Sequence, residues 1–118
     1  MADEIKFELV TPSEMLFSDS VGMAVIPGSE GLFGALPRHA ATLANLQRGL
    51  LNVYKNGAIT RRFLIDGGVA DVLPERVIIL SERAVDLDAV SVQNLDEQLA
   101  DATEAEAAFV TAVKEAIQ

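Results

Sequence analysis

The chain has 118 residues, half of them hydrophobic, with a formal net charge of −9 and no cysteine. The length allows one domain with an appendage, and the lack of cysteine excludes a disulfide framework and thiolate metal sites. The acidic charge excludes a nucleic-acid partner, because binding phosphates needs clustered Lys and Arg. The first residues have neither a basic start nor an apolar run, so we expect no signal peptide and a cytoplasmic location.

Residues 1–85 show the pattern of an all-β sandwich or barrel, in which short apolar segments alternate with turn residues. Ile5, Phe7 and Leu9 alternate with more polar neighbours, which is typical of a half-buried strand. A second strand is predicted at 21–26, where a Pro-Gly pair ends it.

The strongest hairpin signal in the chain is Asn56-Gly57, because both central residues of a tight hairpin turn need positive φ. A Gly-Gly pair at 67–68 predicts a second tight reversal, and Pro74 predicts a third turn. The strands predicted around these turns are 50–54, 59–65, 69–73 and 76–80.

The character of the chain changes at Asp86, after which no Gly or Pro occurs. Apolar residues recur there at helical spacing, and a capping box at 103–106 predicts two short helices, roughly 91–101 and 104–117. One continuous helix stays open, because a mid-helix Thr is tolerated. Residues 1–85 carry ten acids and eight bases, whereas 86–118 carry eight acids and one base. We therefore predict a sandwich domain at 1–85 and a short acidic helical tail at 86–118.

Candidate catalytic and metal-binding residues are few. His39 is the only histidine, so a two-histidine metal site is excluded. A Ser-His-Asp triad is formally possible, but the chain lacks the Gly-x-Ser-x-Gly elbow that would present a nucleophile. A structural or interface histidine is therefore favoured, and an esterase-like enzyme is kept as an alternative. The acids Asp86 and Asp88 lack calcium-loop spacing and indicate a solvated face.

The connection that begins at Gly28 is glycine-rich but lacks the Lys-Ser/Thr of a phosphate-binding loop. Between residues 20 and 54 only three residues are charged. Strand cores do not explain Leu32, Phe33 and Leu36, because connections of this kind normally lie on the surface. Either the connection folds back over an open end of the sandwich, or it presents an apolar patch to a partner, and both can hold.

The segment 27–40 closely resembles the signature of the epsilon subunit of F-type ATP synthases, which is equivalent to the mitochondrial delta subunit. Further segments match that family in the same order, and the similarity spans about residues 4–90. The resemblance implies a ten-stranded β-sandwich followed by a short C-terminal helical hairpin, in agreement with the mainly β pattern and its α tail. The additional matching segments are 8–12, 15–17, 48–50, 63–69 and 77–84.

The resemblance implies a non-catalytic rotor subunit of the central stalk of a proton-translocating ATP synthase. Such a subunit binds the gamma subunit and the ring of c subunits, needs no cofactor, and lies at the cytoplasmic face of the bacterial inner membrane through its partner subunits alone. Arg38 stands where a glycine is usual in the family. The residues that the resemblance assigns to partner binding are Gly28, Glu30, Gly31, Leu32, Phe33, Gly34, Pro37, Arg38 and His39.

The tail departs from the family pattern in charge and in length. In many members a longer, basic helical domain extends transiently to the catalytic head and inhibits ATP hydrolysis, whereas this acidic tail would be repelled by an acidic partner. Ser91 replaces the arginine with which some members clamp ATP. We therefore expect weak or absent inhibition and ATP binding, and a nucleotide-sensing module remains only as an alternative. Phe109, Val113 and Ile117 need an apolar partner, which favours packing of the tail on the sandwich.

Overall fold

The structure is a computed structural model that describes residues 4–38, 40–89 and 104–117. Ten strands and one helix lie within this part of the chain. They are β1 Ile5–Val10, β2 Met15–Val21, β3 Met23–Gly28, β4 Gly31–Ala35, β5 Thr42–Leu46, β6 Gly49–Lys55, β7 Ala58–Ile65, β8 Gly68–Val72, β9 Arg76–Leu80, β10 Ala84–Asp86 and helix α1 Glu104–Ile117. The predicted ten strands and the helix at 104–117 are confirmed, while the predicted helix at 91–101, and with it the hairpin, lies outside the described residues.

Nine of the ten strands form one hydrogen-bonded path, β4 pairs with β3 beside this path, and the whole divides into two sheets. The order is β4-β3-β6-β7-β10 in sheet I and β5-β8-β9-β1-β2 in sheet II. The sheets join where β3 pairs with β5 through a single residue pair, Gly28 with Leu46. The chain then passes from β5 into β6, so that one bent segment contributes a strand to each sheet. All pairings are antiparallel except that of β1 with β9.

The core lies between the two sheets and follows the alternation of the strands. In β1, Ile5, Phe7 and Leu9 are fully buried, which confirms the predicted half-buried strand. β6, β8 and β9 also place every second residue inward. The largest of the fully buried side chains outside β1 are Phe63, Ile26, Leu51, Ile65 and Ile79.

Aromatic rings close the sandwich where β2 approaches β7. The ring of Phe17 lies 5.9 Å from that of Phe7 in its own sheet and 5.4 Å from that of Phe63 in the other. The guanidinium of Arg61 covers the outer side of Phe17, 5.4 Å from the ring centroid. Tilted aromatic pairs of this kind contribute about 1 kcal/mol each in addition to the burial of their surface area, so they hold the edge strand β2 of sheet II against sheet I.

The predicted hairpin at Asn56-Gly57 is confirmed. Asn56 and Gly57 have φ values of 54° and 80° and connect β6 to β7. The strands predicted at 50–54, 59–65, 69–73 and 76–80 correspond to β6, β7, β8 and β9, and every strand end lies within one residue of its prediction.

The prediction that Pro27 and Gly28 end the second strand is wrong, because both belong to β3. β3 pairs with β6 only up to Val25 and with β5 at Gly28, so its ladder on that side is interrupted at Pro27. A proline lacks the N–H that a central strand needs, and it is tolerated where such an irregularity leaves the N–H unused. The residue pattern also failed to predict β2, β4, β5 and β10.

Helix α1 packs on the outer face of sheet I. Phe109, Val110 and Val113 are buried in a cluster with Leu64 of β7 and with Leu87, which follows β10. The predicted packing of Phe109 and Val113 on the sandwich is therefore confirmed. A helix of 14 residues is marginal by itself in water, so this contact with the sandwich is its main support.

Candidate functional site

The predicted partner-binding residues begin in a β-hairpin rather than in a loop. β3 and β4 pair from Ala24 with Ala35 to Gly28 with Gly31, and Ser29 and Glu30 form the exposed turn. Gly31 has a φ of 131°, a conformation that favours glycine, and a Cβ there would meet nothing within 4 Å. Gly31 thus allows the tight reversal.

Alternation along β4 separates the apolar residues of the hairpin. Leu32 points outward and is 69% exposed. Phe33 is half-buried and packs against the core, and its ring lies 3.0 Å from where a Cβ on Gly28 would stand. Both expectations for this segment therefore hold in part, since Phe33 closes over the sandwich while Leu32 remains available to a partner.

Pro37 and Arg38 lie beyond the far end of β4. Its five residues span about 17 Å, so the structure separates these two residues from the turn at Glu30. Arg38 donates its backbone N–H to the carbonyl of Pro74 at 2.6 Å and has a φ of 63°, a left-handed conformation that is uncommon for arginine. His39 lies outside the described residues.

The turn of the β3–β4 hairpin faces β5 across an open cleft of about 330 Å³. The backbone N–H of Ser29 donates to the carbonyl of Asn45 at 2.8 Å, which ties the turn to β5. Leu43 in the cleft wall is 75% exposed. Glu30 is the single charged residue among those that line the cleft within the described part of the chain.

A second apolar surface crosses the outer face of sheet II, and sequence reasoning did not identify it. Val69 pairs with Leu80, Leu80 with Val10 and Val10 with Met15. We call these four residues the sheet II row. Leu80 is 50% and Met15 56% exposed, and an adjoining cleft has a volume of about 390 Å³. One feature of the sequence could have indicated this surface. Lys6, Glu8 and Val10 alternate with the buried residues of β1, so the hydrophobic Val10 is at a position that points outward.

The short motifs at 48–50, 66–68 and 81–84 meet at one corner of the sandwich. The carboxylate of Asp66 accepts from Arg48 and Arg83, each at 3.2 Å. The Ser81 hydroxyl donates to the carbonyls of Gly67 and Arg83 at 2.9 and 2.8 Å. These contacts bind the connections β5–β6, β7–β8 and β9–β10 to one another, so the motifs are structural.

Within the described residues, no group of three or more His, Cys, Asp or Glu side chains is arranged to hold a metal ion. The pKa of Asp19 is lowered from its usual 3.8, first by the backbone N–H of Ser20 and then by the ammonium group of Lys55. This carboxylate bridges the two sheets and does not face the hairpin or the sheet II row. The arrangement of the described residues is suited to protein contact.

Comparison with known proteins agrees with this geometry. Residues 4–87 match the family described as "ATP synthase, Delta/Epsilon chain, beta-sandwich domain". The chain is 40% identical to the ATP synthase epsilon chain of Rhodospirillum rubrum over 128 residues, which cover 99% of this chain and 96% of that protein.

Two solved structures are similar to this one. A chain of the mitochondrial ATP synthase of Euglena gracilis, solved with its OSCP, F1 and c-ring parts, has a TM-score of 0.68 at 25% identity, over 93% of this chain and 74% of that one. A chain of the Tetrahymena thermophila central stalk and c-ring has a TM-score of 0.59 at 17% identity, over 98% and 92%. The second likeness shows the fold alone.

Proposed function

We propose the following function for this chain, which belongs to the ATP synthase delta/epsilon chain family. It is a non-catalytic rotor subunit in the central stalk of an F-type ATP synthase. As part of the rotor it helps to couple rotation of the c-ring to ATP synthesis. Its own contribution is contact and rigidity, carried by a sandwich with two exposed apolar surfaces.

The observation that carries the proposal most directly is the sheet II row. A small domain that exposes aligned apolar side chains on a rigid sheet has the character of a protein interface. We assign this surface to the gamma subunit. Leu80 is its central anchor, because it lies between Val69 and Val10 in register and stands beside the cleft.

The second surface is the β3–β4 hairpin, which we assign to the c-ring. Leu32 is the most exposed apolar residue of the hairpin, and Glu30 supplies a charge at its turn. Gly28, Gly31 and Gly34 shape the hairpin for this contact, whereas Phe33 supports it from the core side. Pro37 and Arg38 extend the proposed surface beyond the far end of β4, and His39 is proposed to take part in the same contact.

We further propose that the protein lies at the cytoplasmic face of the bacterial inner membrane and is held there by its partner subunits. In the described part of the chain, no helix has the length and apolar character needed to cross a bilayer. Both proposed partner surfaces lie on the sandwich, so the assembly itself would determine the location.

The test of the gamma contact is co-elution of the full chain with its cognate gamma subunit at micromolar concentration. Leu80→Asp places a charge in the centre of the proposed interface and should weaken binding about 30-fold or more. Ile59→Asp is the matched control, because Ile59 is similarly exposed, 46% against 50%, but lies in β7 of sheet I. Equal binding by both variants would refute the assignment, and no wild-type complex would refute the proposed function.

The tail is proposed to be a weak or absent inhibitor of ATP hydrolysis, contacting the catalytic head only transiently if it extends. Residues 86–118 carry eight acids and one base, so they are repelled by acidic surfaces. Truncation after Ala89 keeps β10 and Leu87 intact, which a cut after Val85 would not. Hydrolysis by the reconstituted complex should change less than about twofold, and a several-fold activation would contradict the proposal.

A further inference from the structure

Two neighbouring arginines of β7 hold the chain where it leaves the sandwich. Arg61 Nη1 lies 2.6 Å from Asp86 Oδ2, and Arg62 Nη2 lies 3.6 Å from Asp88 Oδ1. The backbone N–H of Leu87, between the two aspartates, donates to the carbonyl of Arg62 at 2.9 Å. The pairing of β10 with β7 is thereby extended beyond Asp86.

The two ion pairs hold the end of β10 and the turn after it from opposite faces of the sheet. Successive residues of a strand point to opposite faces, so Arg61 lies on the side of Phe63 and Arg62 on the side of Leu64. Asp86 pairs with Phe63 in register and also accepts from the backbone N–H of Asp88 at 2.9 Å. The segment is therefore fixed on both faces of the sheet.

Leu87 connects the segment held by these ion pairs to helix α1. It is 5% exposed and packs in the same cluster as Phe109 and Val113 of the helix. β10 has only three residues, so its pairing with β7 is short and gains little from neighbouring ladder bonds. If β10 separates from β7, Leu87 leaves the cluster, and the helix loses part of the apolar surface on which it packs.

We propose that Arg61 and Arg62 with Asp86 and Asp88 form an electrostatic latch that sets how often helix α1 leaves the sandwich. The latch is a property of the isolated chain. Its consequence for regulation rests on the proposed function, since only a released tail could reach other subunits of the complex.

The two pairs contribute unequally to the latch. The side chain of Asp86 is 18% exposed and that of Asp88 is 50% exposed, so solvent screens the second pair more strongly. Arg61 is also oriented by its contact with the ring of Phe17, which lowers the entropy lost on pairing. Arg61–Asp86 is therefore the stronger half.

Hydrogen exchange on the full-length chain tests the latch. In the double variant Asp86→Asn/Asp88→Asn, protection should fall about three- to tenfold in residues 84–89 and 104–117, and it should be unchanged in 5–10 and 76–80. The sign is diagnostic, because removing two acids relieves self-repulsion in an acidic tail and would by itself raise protection. Unchanged or higher protection, or an equal loss in 5–10, would overturn the proposal.

Two further variants separate the latch from a general loss of surface charge. Glu8→Gln removes a surface pair elsewhere on the sandwich, 3.8 Å from Lys6, and should leave residues 104–117 as protected as in the wild type. The exchanged pair Arg62→Asp/Asp88→Arg should regain most of the protection lost in Arg62→Asp alone. Failure of the exchange to restore protection would overturn the role of this pair. None of these measurements needs a partner subunit, so their outcome is independent of the gamma-binding test.

Discussion

Both outer faces of the sandwich carry apolar side chains, but among the described residues only the face of sheet I is packed against another element of the chain. On sheet I, Leu64 is 5% exposed because helix α1 packs over it. On sheet II, Leu80 is 50% exposed in the same outward orientation. Burying one large apolar side chain stabilises by about 2 kcal/mol, so each face gains from a cover. The chain supplies the first cover itself, and we infer that the gamma subunit supplies the second.

The largest expected effect comes from breaking sheet II at Gly68, beside the sheet II row. A Cβ at this position would lie 1.9 Å from the carbonyl oxygen of Leu80, and the φ of 116° already disfavours any other residue. Gly68→Ala should therefore lower the free energy of unfolding by about 3 kcal/mol or more, measured by urea denaturation.

Gly57→Ala is the control for this prediction. Gly57 also has positive φ, 80°, but a Cβ there would meet nothing within 4 Å. Gly57→Ala should lower the free energy of unfolding by about 1 kcal/mol, because only the backbone conformation opposes it. If the two variants were equally stable, close approach to Leu80 would not be the reason for the glycine.

The second largest effect is expected from loosening helix α1 from the outer face of sheet I. Phe109→Ala removes the largest side chain of helix α1 from the cluster with Leu64 and Leu87, which should weaken docking by about 3 kcal/mol. The helical circular dichroism should fall, because a helix of this length is marginal without its support. The exposed Thr111 provides the control, since Thr111→Ala should leave helicity unchanged. Retained helicity in Phe109→Ala would mean that the cluster does not hold the helix.

The sequence predicted the fold where local signals were strong. The alternation of apolar and polar residues predicted β1, and Asn56-Gly57 predicted the β6–β7 hairpin. Both signals depend only on residues that are neighbours in the sequence. β2 was missed since its polar run at 18–20 lies on an edge strand, where one row of backbone groups and side chains meets solvent. β4 was taken for a loop because three glycines and a proline dominate the segment, whereas long-range pairing with β3 decides its structure.

The contacts that the resemblance implies for the candidate site stay a prediction. Leu32 and Glu30 are exposed near the turn of the β3–β4 hairpin, whereas Pro37 and Arg38 lie at the other end of β4. The sheet II row was not found, because Val10 and Leu80 are separated by 70 residues and become neighbours only through the parallel pairing of β1 with β9. Registers between distant strands are not encoded by local periodicity, so such surfaces become visible only in the folded structure.

A smaller effect concerns Arg38, which lies on the connection from sheet I to sheet II. Its φ of 63° costs about 1 kcal/mol in an arginine, and a glycine would avoid that cost. Arg38→Gly should raise the melting temperature by roughly 4 °C. Asn56→Gly is the control at a φ of 54°, where the gain should be smaller because asparagine tolerates this conformation. A loss of stability in Arg38→Gly would show that its side chain contributes more than the strain costs.

The smallest effect concerns Asp19, whose pair with Lys55 joins β2 of sheet II to the end of β6 in sheet I. The pKa of Asp19 is lowered in the folded chain, so its stabilising contribution is present above the usual value of 3.8 and is lost as the pH falls through the folded pKa. The Ser20 N–H is the larger cause, so Lys55→Met should restore the pKa only partly. An NMR titration of the Asp19 carboxyl carbon measures this directly. Full restoration would mean that the contact between the sheets, rather than the backbone N–H of Ser20, holds the carboxylate ionised.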